Sequence, residues 1–331
     1  TPVVKTIVNE LHIPFPDKTI KPVTQSVGGM AGGDKYIRDG LFFKLARDVT
    51  GAYGGDENAA HAAHHEMDAL AALLKANIPG LHFPLTAVIS YCGHTVSVAS
   101  LLPIDASTLV YGSADGGATL VKSNHDMDAM MQLAGSALNL KGHVVSGSRS
   151  VAAGSRRSDA FVFHGPADME GHLGHDGRFY VVDMARLFPP EAPASDAPKG
   201  TILYRLLRPE AVAAAPTPLS SDAFSRMGRH NHHLHNTEVA HATAALYTHT
   251  IPVLARELLA AESEHALSAT ALASSSLGFF ASRGLSTRHL GALRSHVPAA
   301  SDGVAAHLRE WLTTYMVAHT FGAQLSASLR R

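Results

Sequence analysis

The pattern of apolar and polar residues predicts a β-rich beginning of the chain. In the run YIRDGLFFKLARD, residues 36–48, an Asp39-Gly40 pair separates two short segments, which is typical of a β-hairpin. The run TAVISYCGHTVSVASLLP, residues 86–103, has the same form around Cys92-Gly93. Two hairpins are therefore expected within the first 103 residues.

A helix is predicted between these hairpins, within residues 56–80. Acidic residues open this segment and Pro79-Gly80 closes it, as expected for the two ends of a helix. Apolar side chains recur in it at helical spacing. These positions are Ala59, Ala63, Met67, Leu70 and Leu74.

The last third of the chain is predicted to be helical, because helical periodicity recurs at 237–261, 286–296 and 304–325. The predicted fold class is therefore α+β. We expect a β-rich N-terminal lobe with one main helix over residues 1–103. We expect a C-terminal lobe over residues 104–331, with an acidic hairpin at 161–191 and a helical remainder.

Composition narrows the class of protein. With 331 residues and 46% hydrophobic side chains, the chain is long enough to bury a large core. A formal net charge of -1 gives no bulk attraction to nucleic acid or to an anionic membrane. The single cysteine, Cys92, excludes an internal disulfide and suits a reducing compartment. Because no apolar run is long enough to span a bilayer, the expected location is cytoplasmic.

The predicted acidic hairpin carries the strongest candidate chemistry. Residues 168–191 read DMEGHLGHDGRFYVVDMARLFPPE, with a turn at Asp176-Gly177 and a strand that ends in Asp183. Pairing of the two strands brings Glu170 close to Asp183. Neighbouring carboxylates repel each other, and a Mg²⁺ ion between them removes that repulsion. The alternative is that the two carboxylates form structural salt bridges with Arg178 or Arg186.

Several of these blocks, in this order, resemble the CLU-domain family of clustered-mitochondria proteins. They include YIRDGLFFKLARD, AVISYCGHTVSVASLLP, LVYGSADGG, DGRFYVVDMARLFPPE, LLRPE and GLSTRHLGALRSHV, and they extend over residues 36–325. The resemblance implies a large cytoplasmic protein with a role in mitochondrial distribution. In animals it also implies binding of messenger RNAs for mitochondrial proteins.

The order of elements is also similar, more distantly, to kinases of the SAICAR-synthase and inositol-phosphate-kinase type. This second resemblance implies a two-lobed kinase-like architecture that binds ATP and Mg²⁺. It implies that Lys44 orients phosphates with Glu66 as its helix partner, and that Glu170 and Asp183 bind the metal. Asp168 would position or deprotonate the acceptor.

Glycines 28, 29, 32 and 33 form a candidate phosphate loop, in which Gly32 and Gly33 would contact the nucleotide. The sequence departs from the kinase pattern, however. It has no HRD-type catalytic loop and no ordered GxGxxG, and Asp168 stands where the SAICAR-synthase pattern has a lysine. These departures weaken the expectation of catalysis more than that of nucleotide binding. Structural roles also remain open for two residues, because Lys44 can extend from a half-buried strand and Glu66 can lie on a solvated helix face.

Three functions follow as alternatives. The first is an ATP-dependent phosphotransferase that acts on an unidentified small molecule or lipid headgroup. The second is a kinase-shaped binding module without turnover. The third is a scaffold that binds RNA or protein in mitochondrial organisation.

Two further clusters raise weaker possibilities. The histidine-rich run 230–241 places His235, Glu238 and His241 on one helical face, where they could bind zinc. Arg156-Arg157 and the run RHLGALRSH, residues 288–296, are candidate contacts for phosphate or RNA. The alternative for the first cluster is a compositional bias toward histidine, and for the second a solvated surface.

Overall fold

The computed structural model describes residues 2–23, 33–145, 149–152, 160–228, 230–264 and 278–330. The first part of the chain forms an antiparallel four-stranded sheet in the order β1-β2-β5-β4. Its strands are β1 (Lys35–Arg38), β2 (Leu41–Leu45), β4 (Thr86–Tyr91) and β5 (His94–Ser100). Helix α1 (Pro2–Asn9) packs on one face of this sheet.

Both predicted hairpin turns are confirmed. Asp39 and Gly40 join β1 to β2 with φ of 52° and 73°, and Cys92 and Gly93 join β4 to β5 with φ of 46° and 76°. Positive φ at both central residues gives the turn a twist that matches the twist of the paired strands. Cys92 is an exposed turn residue.

Alternation along the strands places the apolar side chains of the sheet on the α1 side. The small core formed there consists of Val4, Ile7, Val8, Tyr36, Phe43, Leu45, Val96 and Val98. Lys44 lies between Phe43 and Leu45 in β2 and therefore projects from the opposite face. That opposite face of the sheet lies on the side of Glu66 and Asp183, on which the charge of Lys44 acts.

The predicted helix is confirmed as α2 (Asp56–Ala76). Asp56 and Glu57 occupy its first turn, where carboxylates interact favourably with the helix dipole, and the left-handed residue Asn77 ends it. Ala69, Leu70 and Leu73 of α2 belong to the large core described below. The helix thus connects the first sheet with the rest of the molecule.

A second sheet has six strands in the order β3-β12-β11-β6-β7-β9. These strands are β3 (Leu81–His82), β6 (Leu109–Gly112), β7 (Thr119–Lys122), β9 (Arg149–Ala152), β11 (Glu170–Leu173) and β12 (Phe179–Val182). A separate pair is formed by β8 (His143–Val145) and β10 (Phe161–Phe163), and helix α3 spans His125–Ala137. Only the β11–β12 hairpin of this sheet was predicted. The region after residue 103 contains more β structure than the sequence pattern indicated.

The predicted helical end is confirmed in outline. Its helices are α4 (Pro209–Ala213), α5 (His232–Ala245), α6 (Ile251–Glu264), α7 (Leu290–Ser295) and α8 (Gly303–Leu329). A π-helical turn, Leu246–Thr250, joins α5 to α6 just before Pro252. Proline has no backbone N–H and its ring crowds the preceding turn, so the wider π turn accommodates it.

The large core gathers side chains from α2, the six-stranded sheet and the C-terminal helices. Within the predicted N-terminal lobe, residues 1–103, β3 pairs with β12 and the second half of α2 packs in this core. These contacts join the two predicted lobes. The boundary between residues 103 and 104 stays a prediction. Among the described residues, no helix is long and apolar enough to cross a membrane.

Candidate functional site

The β11–β12 hairpin brings the two predicted metal ligands together. Glu170 lies opposite Val182 in the antiparallel register, and Asp183 is the next residue after Val182. At the far end of the hairpin, the Gly174 N–H donates to the Arg178 carbonyl over 2.8 Å and tightens the turn. Glu170 and Asp183 thus share the open end of the hairpin.

Asp183 has an unusual backbone. Its φ is 57°, in the left-handed region that non-glycine residues seldom adopt, although aspartate tolerates it better than most. Such conformations cost about 1–3 kcal/mol and often occur at functional sites. Although the residue is exposed, desolvation by the protein atoms around its carboxylate raises the pKa of Asp183. The neighbouring charges of Asp168 and Glu170 raise it further, while Lys44 and Arg186 oppose this effect.

Glu66 reaches the same place from α2. Its Oε1 accepts a hydrogen bond of 3.0 Å from the Met184 N–H, so the helix is tied to the residue after Asp183. Burial and the Asp183 charge raise the pKa of Glu66 to about 7, and Lys44 opposes the shift. Glu66 was predicted as a partner for Lys44, but its hydrogen bond goes to the hairpin backbone.

Lys44 approaches these carboxylates from the sheet. It is half-buried in β2, and its charge acts on both Glu66 and Asp183. We refer to Lys44, Glu66, Glu170 and Asp183 as the lysine–carboxylate site. Four positions predicted from three separate parts of the chain therefore lie near one another. Their predicted roles as phosphate and metal ligands stay predictions.

Of the predicted phosphate loop, Gly28, Gly29 and Gly32 lie outside the described residues. Gly33 lies beside β2, where its N–H donates to the Leu45 carbonyl over 2.8 Å. A Cβ at Gly33 would lie 3.2 Å from that carbonyl oxygen and 3.1 Å from the Arg47 Cβ. Close packing against β2 therefore accounts for this glycine.

Asp168, the predicted catalytic residue, is engaged by an arginine. Arg186 Nε donates to Asp168 Oδ2 over 2.9 Å, and Arg186 Nη2 donates to Oδ1 over 2.6 Å. The same guanidinium donates to Asp222 over 2.9 Å, and Asp222 also contacts His143 Nε2 at 2.9 Å. A bidentate arginine–carboxylate pair fixes both oxygens. Arg186 thus forms ion pairs with Asp168 and Asp222. The alternative considered from the sequence was instead a salt bridge to Glu170 or Asp183.

Glu170 and Arg178 have other partners. Glu170 Oε2 lies 3.2 Å from His172 Nε2, and His172 Nδ1 lies 3.0 Å from the Thr108 hydroxyl. Arg178 instead lies 3.9 Å from Asp176 at the hairpin tip. Glu170 is thus oriented by a histidine, and its second oxygen points to no partner among the described hydrogen bonds.

Tyr53 is a neighbour of the site that the sequence analysis missed. It lies in the loop between β2 and α2, where its N–H donates to Asp48 over 3.1 Å. Burial raises the pKa of Tyr53 to about 12, and the Asp183 and Asp168 charges add to the shift. The sequence feature that could have indicated this loop is GAYGG, residues 51–55, whose three glycines all have positive φ.

The described residues contain no group of three or more histidine, cysteine, aspartate or glutamate side chains arranged to hold a metal ion. In the histidine-rich segment, His235 packs edge-to-face on His143 at 6.1 Å, and Glu238 pairs with Lys141. A cation between Glu170 and Asp183 would therefore need further ligands from a bound molecule. A cavity of about 260 Å³ lies elsewhere, between the first half of α2, the Cys92-Gly93 turn and the end of α8.

Taken together, these features define a mixed α+β protein in which an acidic hairpin meets a lysine-bearing sheet. A family model described as CLU, "Clustered mitochondria", matches residues 1–193, more than half of the chain and all of the lysine–carboxylate site. The chain therefore belongs to the clustered-mitochondria family, and the predicted resemblance is confirmed.

The chain is 29% identical over 164 residues to Protein clueless of Drosophila ananassae, covering 47% of this chain and 11% of that protein. It is 29% identical over 165 residues to the Clustered mitochondria protein homolog of Danio rerio, with coverage of 47% and 11%. For the Anopheles gambiae homolog the values are 27% over 183 residues, with coverage of 53% and 12%. The chain thus spans about a tenth of the length of these relatives.

No solved structure matches the chain. The protein has a mixed α+β fold, and the kinase-like two-lobed architecture stays a prediction.

Proposed function

We propose that this chain is a binding module of a clustered-mitochondria protein, that it serves mitochondrial distribution, and that it transfers no phosphoryl group. Membership of the family supports the cellular role. The proposed lack of catalysis rests on the pairing of Asp168 with Arg186. A catalytic base must reach the proton that it removes, and the bidentate pair with Arg186 holds both oxygens of Asp168 against the guanidinium.

The test compares catalytic and non-catalytic roles in cells. Cells that lack their clustered-mitochondria protein receive the protein containing this chain, either unchanged or with Asp168→Asn. We expect both forms to restore mitochondrial distribution equally, because asparagine keeps a hydrogen bond to Arg186 and Asp222 keeps the charge pair. A folded Asp168→Asn protein that fails to restore distribution, or release of phosphate from ATP by the unchanged chain, would contradict the proposal.

Between the two expected kinds of partner, the described residues favour a protein over RNA. The two arginines of the predicted RNA contact at residues 288–296 bind other side chains of the protein. Arg288 donates to Glu191 over 2.6 Å, and Arg294 donates to Thr313 over 2.6 Å. Arg156-Arg157 lies outside the described residues. RNA binding through phosphate contacts weakens steeply with salt. Retention of RNA at low salt and its loss at moderate salt would therefore reverse this preference.

A second candidate function is non-catalytic binding of a nucleotide with Mg²⁺. The convergence of Lys44, Glu66, Glu170 and Asp183 supports it, because an ammonium group and two carboxylates are what phosphates and Mg²⁺ use. We expect ATP with Mg²⁺ to raise the Tm, and Asp183→Asn or removal of the metal to abolish the rise. Asp196→Asn, on an exposed loop, serves as the control. An unchanged Tm for the wild-type chain would exclude this candidate.

A further inference from the structure

A cavity separate from the lysine–carboxylate site lies where the end of α8 meets the first sheet. Its volume is about 260 Å³, and its walls are the first half of α2, the turn between β4 and β5, and the last turns of α8. We refer to it as the α8 cavity. Pockets for drug-sized ligands begin at about 300 Å³, so this cavity suits a ligand somewhat smaller than these.

The end of α8 is fixed tightly against the sheet at this cavity. A Cβ at Gly93 would lie 2.1 Å from the Ser326 carbonyl oxygen, so the helix approaches this closely only because residue 93 is glycine. Arg330 then fastens the helix end. Its Nη1 donates to the Gly93 carbonyl over 2.7 Å, and its Nη2 donates to Glu57 Oε2 over 2.6 Å. The wall that α8 contributes is therefore held in place by close packing and by two hydrogen bonds.

Two polar side chains that line the α8 cavity have hydrogen-bond donors without acceptors. Thr95 is only 7% exposed, and its hydroxyl has no hydrogen-bond partner among the described residues. Arg330, whose side chain is 15% exposed, has further N–H groups with no acceptor in the part of the chain that the structure describes. Burial of a donor without an acceptor is unfavourable. A bound molecule with acceptor oxygens would satisfy both side chains.

Donors also exceed free acceptors in the rest of the cavity. Ser90 lies directly opposite Thr95 in the β4–β5 ladder, so the two hydroxyls project from the same face of the sheet. His61 lines the wall formed by α2, and its ring nitrogens have no hydrogen bond to any described residue. The carboxylate of Glu57 already accepts from Arg330. Phosphate and carboxylate groups present several acceptor oxygens together and bind guanidinium N–H groups more strongly than a neutral oxygen does.

We propose that the α8 cavity binds a small organic oxyanion, whose phosphate or carboxylate group accepts hydrogen bonds from Arg330, His61 and Thr95. Glu57 acts as a positioning residue, because its bond to Arg330 orients the guanidinium. The α8 cavity shares no lining residue with the lysine–carboxylate site, so this inference is independent of the proposed function.

The single cysteine of the chain reports on the cavity, because Cys92 lines it and is exposed. The experiment measures the rate at which iodoacetamide, a neutral reagent, alkylates Cys92 at increasing concentrations of glycerol 3-phosphate, malonate or glycerol. We expect at least one of the two anions to slow alkylation along a one-site saturation curve, while glycerol leaves the rate unchanged. The anion that protects at the lower concentration identifies phosphate or carboxylate as the group that is bound.

Thr95→Val keeps the shape of the side chain and removes only the hydroxyl. We expect this variant to fold with an unchanged or higher Tm, because the hydroxyl has no partner among the described residues. It should need about tenfold more anion for half-maximal protection of Cys92, the effect of one lost hydrogen bond to a charged group. Arg330→Gln should abolish protection. Thr314→Val makes the same change at an exposed position of α8 and should leave protection at the wild-type level.

Three results would overturn the inference: no protection by either anion, equal protection by glycerol, or wild-type protection in Thr95→Val. Titration calorimetry of the same anions supplies the last check. Binding that is detected by calorimetry without protection of Cys92 would place the anion outside the α8 cavity, and it would also overturn the inference.

Discussion

At the scale of single residues, Asp183 combines a left-handed backbone with a carboxylate crowded by Asp168 and Glu170. Because its pKa is raised, the ionised form costs stability near neutral pH. Asparagine removes the charge and tolerates the same backbone. We therefore expect Asp183→Asn to raise the free energy of unfolding at pH 8.

Urea unfolding at pH 8 measures this effect. Asp183→Val serves as the comparison and should lower stability, because a β-branched residue is strained at positive φ. If the wild-type chain is more stable than Asp183→Asn, the carboxylate contributes a net favourable contact with Lys44 instead.

Glu66 predicts a pH dependence with a definite sign. Its pKa rises from 4.5 in the unfolded chain to about 7 in the folded one, so between these values the folded state binds more protons. Stability contributed by protonated Glu66 is then present at low pH and is lost as the pH rises through about 7. Glu66→Gln keeps an acceptor for the Met184 N–H and cannot ionise.

The measurement is the difference in unfolding free energy between Glu66→Gln and the wild type from pH 5 to pH 8.5. Taking this difference cancels the titration of the many histidines. We expect it to grow in favour of the variant with rising pH, by on the order of 2 kcal/mol. A difference that is constant with pH would mean that Glu66 stays ionised in the folded protein.

At the scale of elements, the close approach of β6 and β11 depends on a missing side chain. A Cβ at Gly112 would lie 1.7 Å from the Met169 carbonyl oxygen, and the residue has φ of 91°. Gly116 also has positive φ, 67°, but its Cβ would meet nothing within 4 Å. Comparing substitutions at the two positions therefore separates the effect of close packing on stability from that of backbone strain.

We expect Gly112→Ala to destabilise the chain by at least about 3 kcal/mol, since both backbones must shift. Gly116→Ala should cost only about 1 kcal/mol, the penalty for a left-handed alanine. Thermal and urea unfolding of the two variants make the comparison. Equal losses of unfolding free energy in the two variants would show that strand β6 can move away from β11 without destabilising the protein.

What the sequence predicts about the elements depends on how local their determinants are. Helix α2 and the turns at Asp39-Gly40 and Cys92-Gly93 follow from neighbouring residues, and so does the β11–β12 hairpin. The rest of the six-stranded sheet was missed because its strands have only two to four residues, too few to show a period; β11 and β12 are as short and were predicted from the turn between them. Their pairing also joins distant segments, as in the parallel pairs β3–β12 and β7–β9.

The residues of the candidate site divide in the same way, into those that neighbouring sequence predicts and those that depend on distant segments. Hairpin pairing predicted the closeness of Glu170 and Asp183, and the distant resemblance to kinases of the SAICAR-synthase type pointed to Lys44 and Glu66. The pairing of Arg186 with Asp168 could not be chosen from sequence, because the same guanidinium also binds Asp222, which lies 36 residues further along the chain. Tyr53 required the path of a glycine-rich loop.

At the scale of the whole molecule, the lysine–carboxylate site lies between parts with unequal cores. Its lysine, Lys44, belongs to the sheet whose core contains eight buried residues, and the carboxylates of the β11–β12 hairpin belong to the sheet packed in the much larger core. Segments with fewer buried apolar contacts open more readily. The sheet that carries Lys44 is therefore expected to be the less stable side of the site.

Hydrogen exchange tests this difference through Ile7 of α1, which is 1% exposed and belongs to the small core. Ile7→Ala should cost about 2–5 kcal/mol locally and speed amide exchange in β1, β2, β4 and β5, while β11 and β12 keep their protection. Leu120→Ala, at a fully buried position of the large core, should instead speed exchange in β11 and β12. If Ile7→Ala speeds exchange equally in both sheets, the two cores unfold as one unit. Binding energy at the site would then stabilise the whole chain, with no preference for its lysine-bearing side.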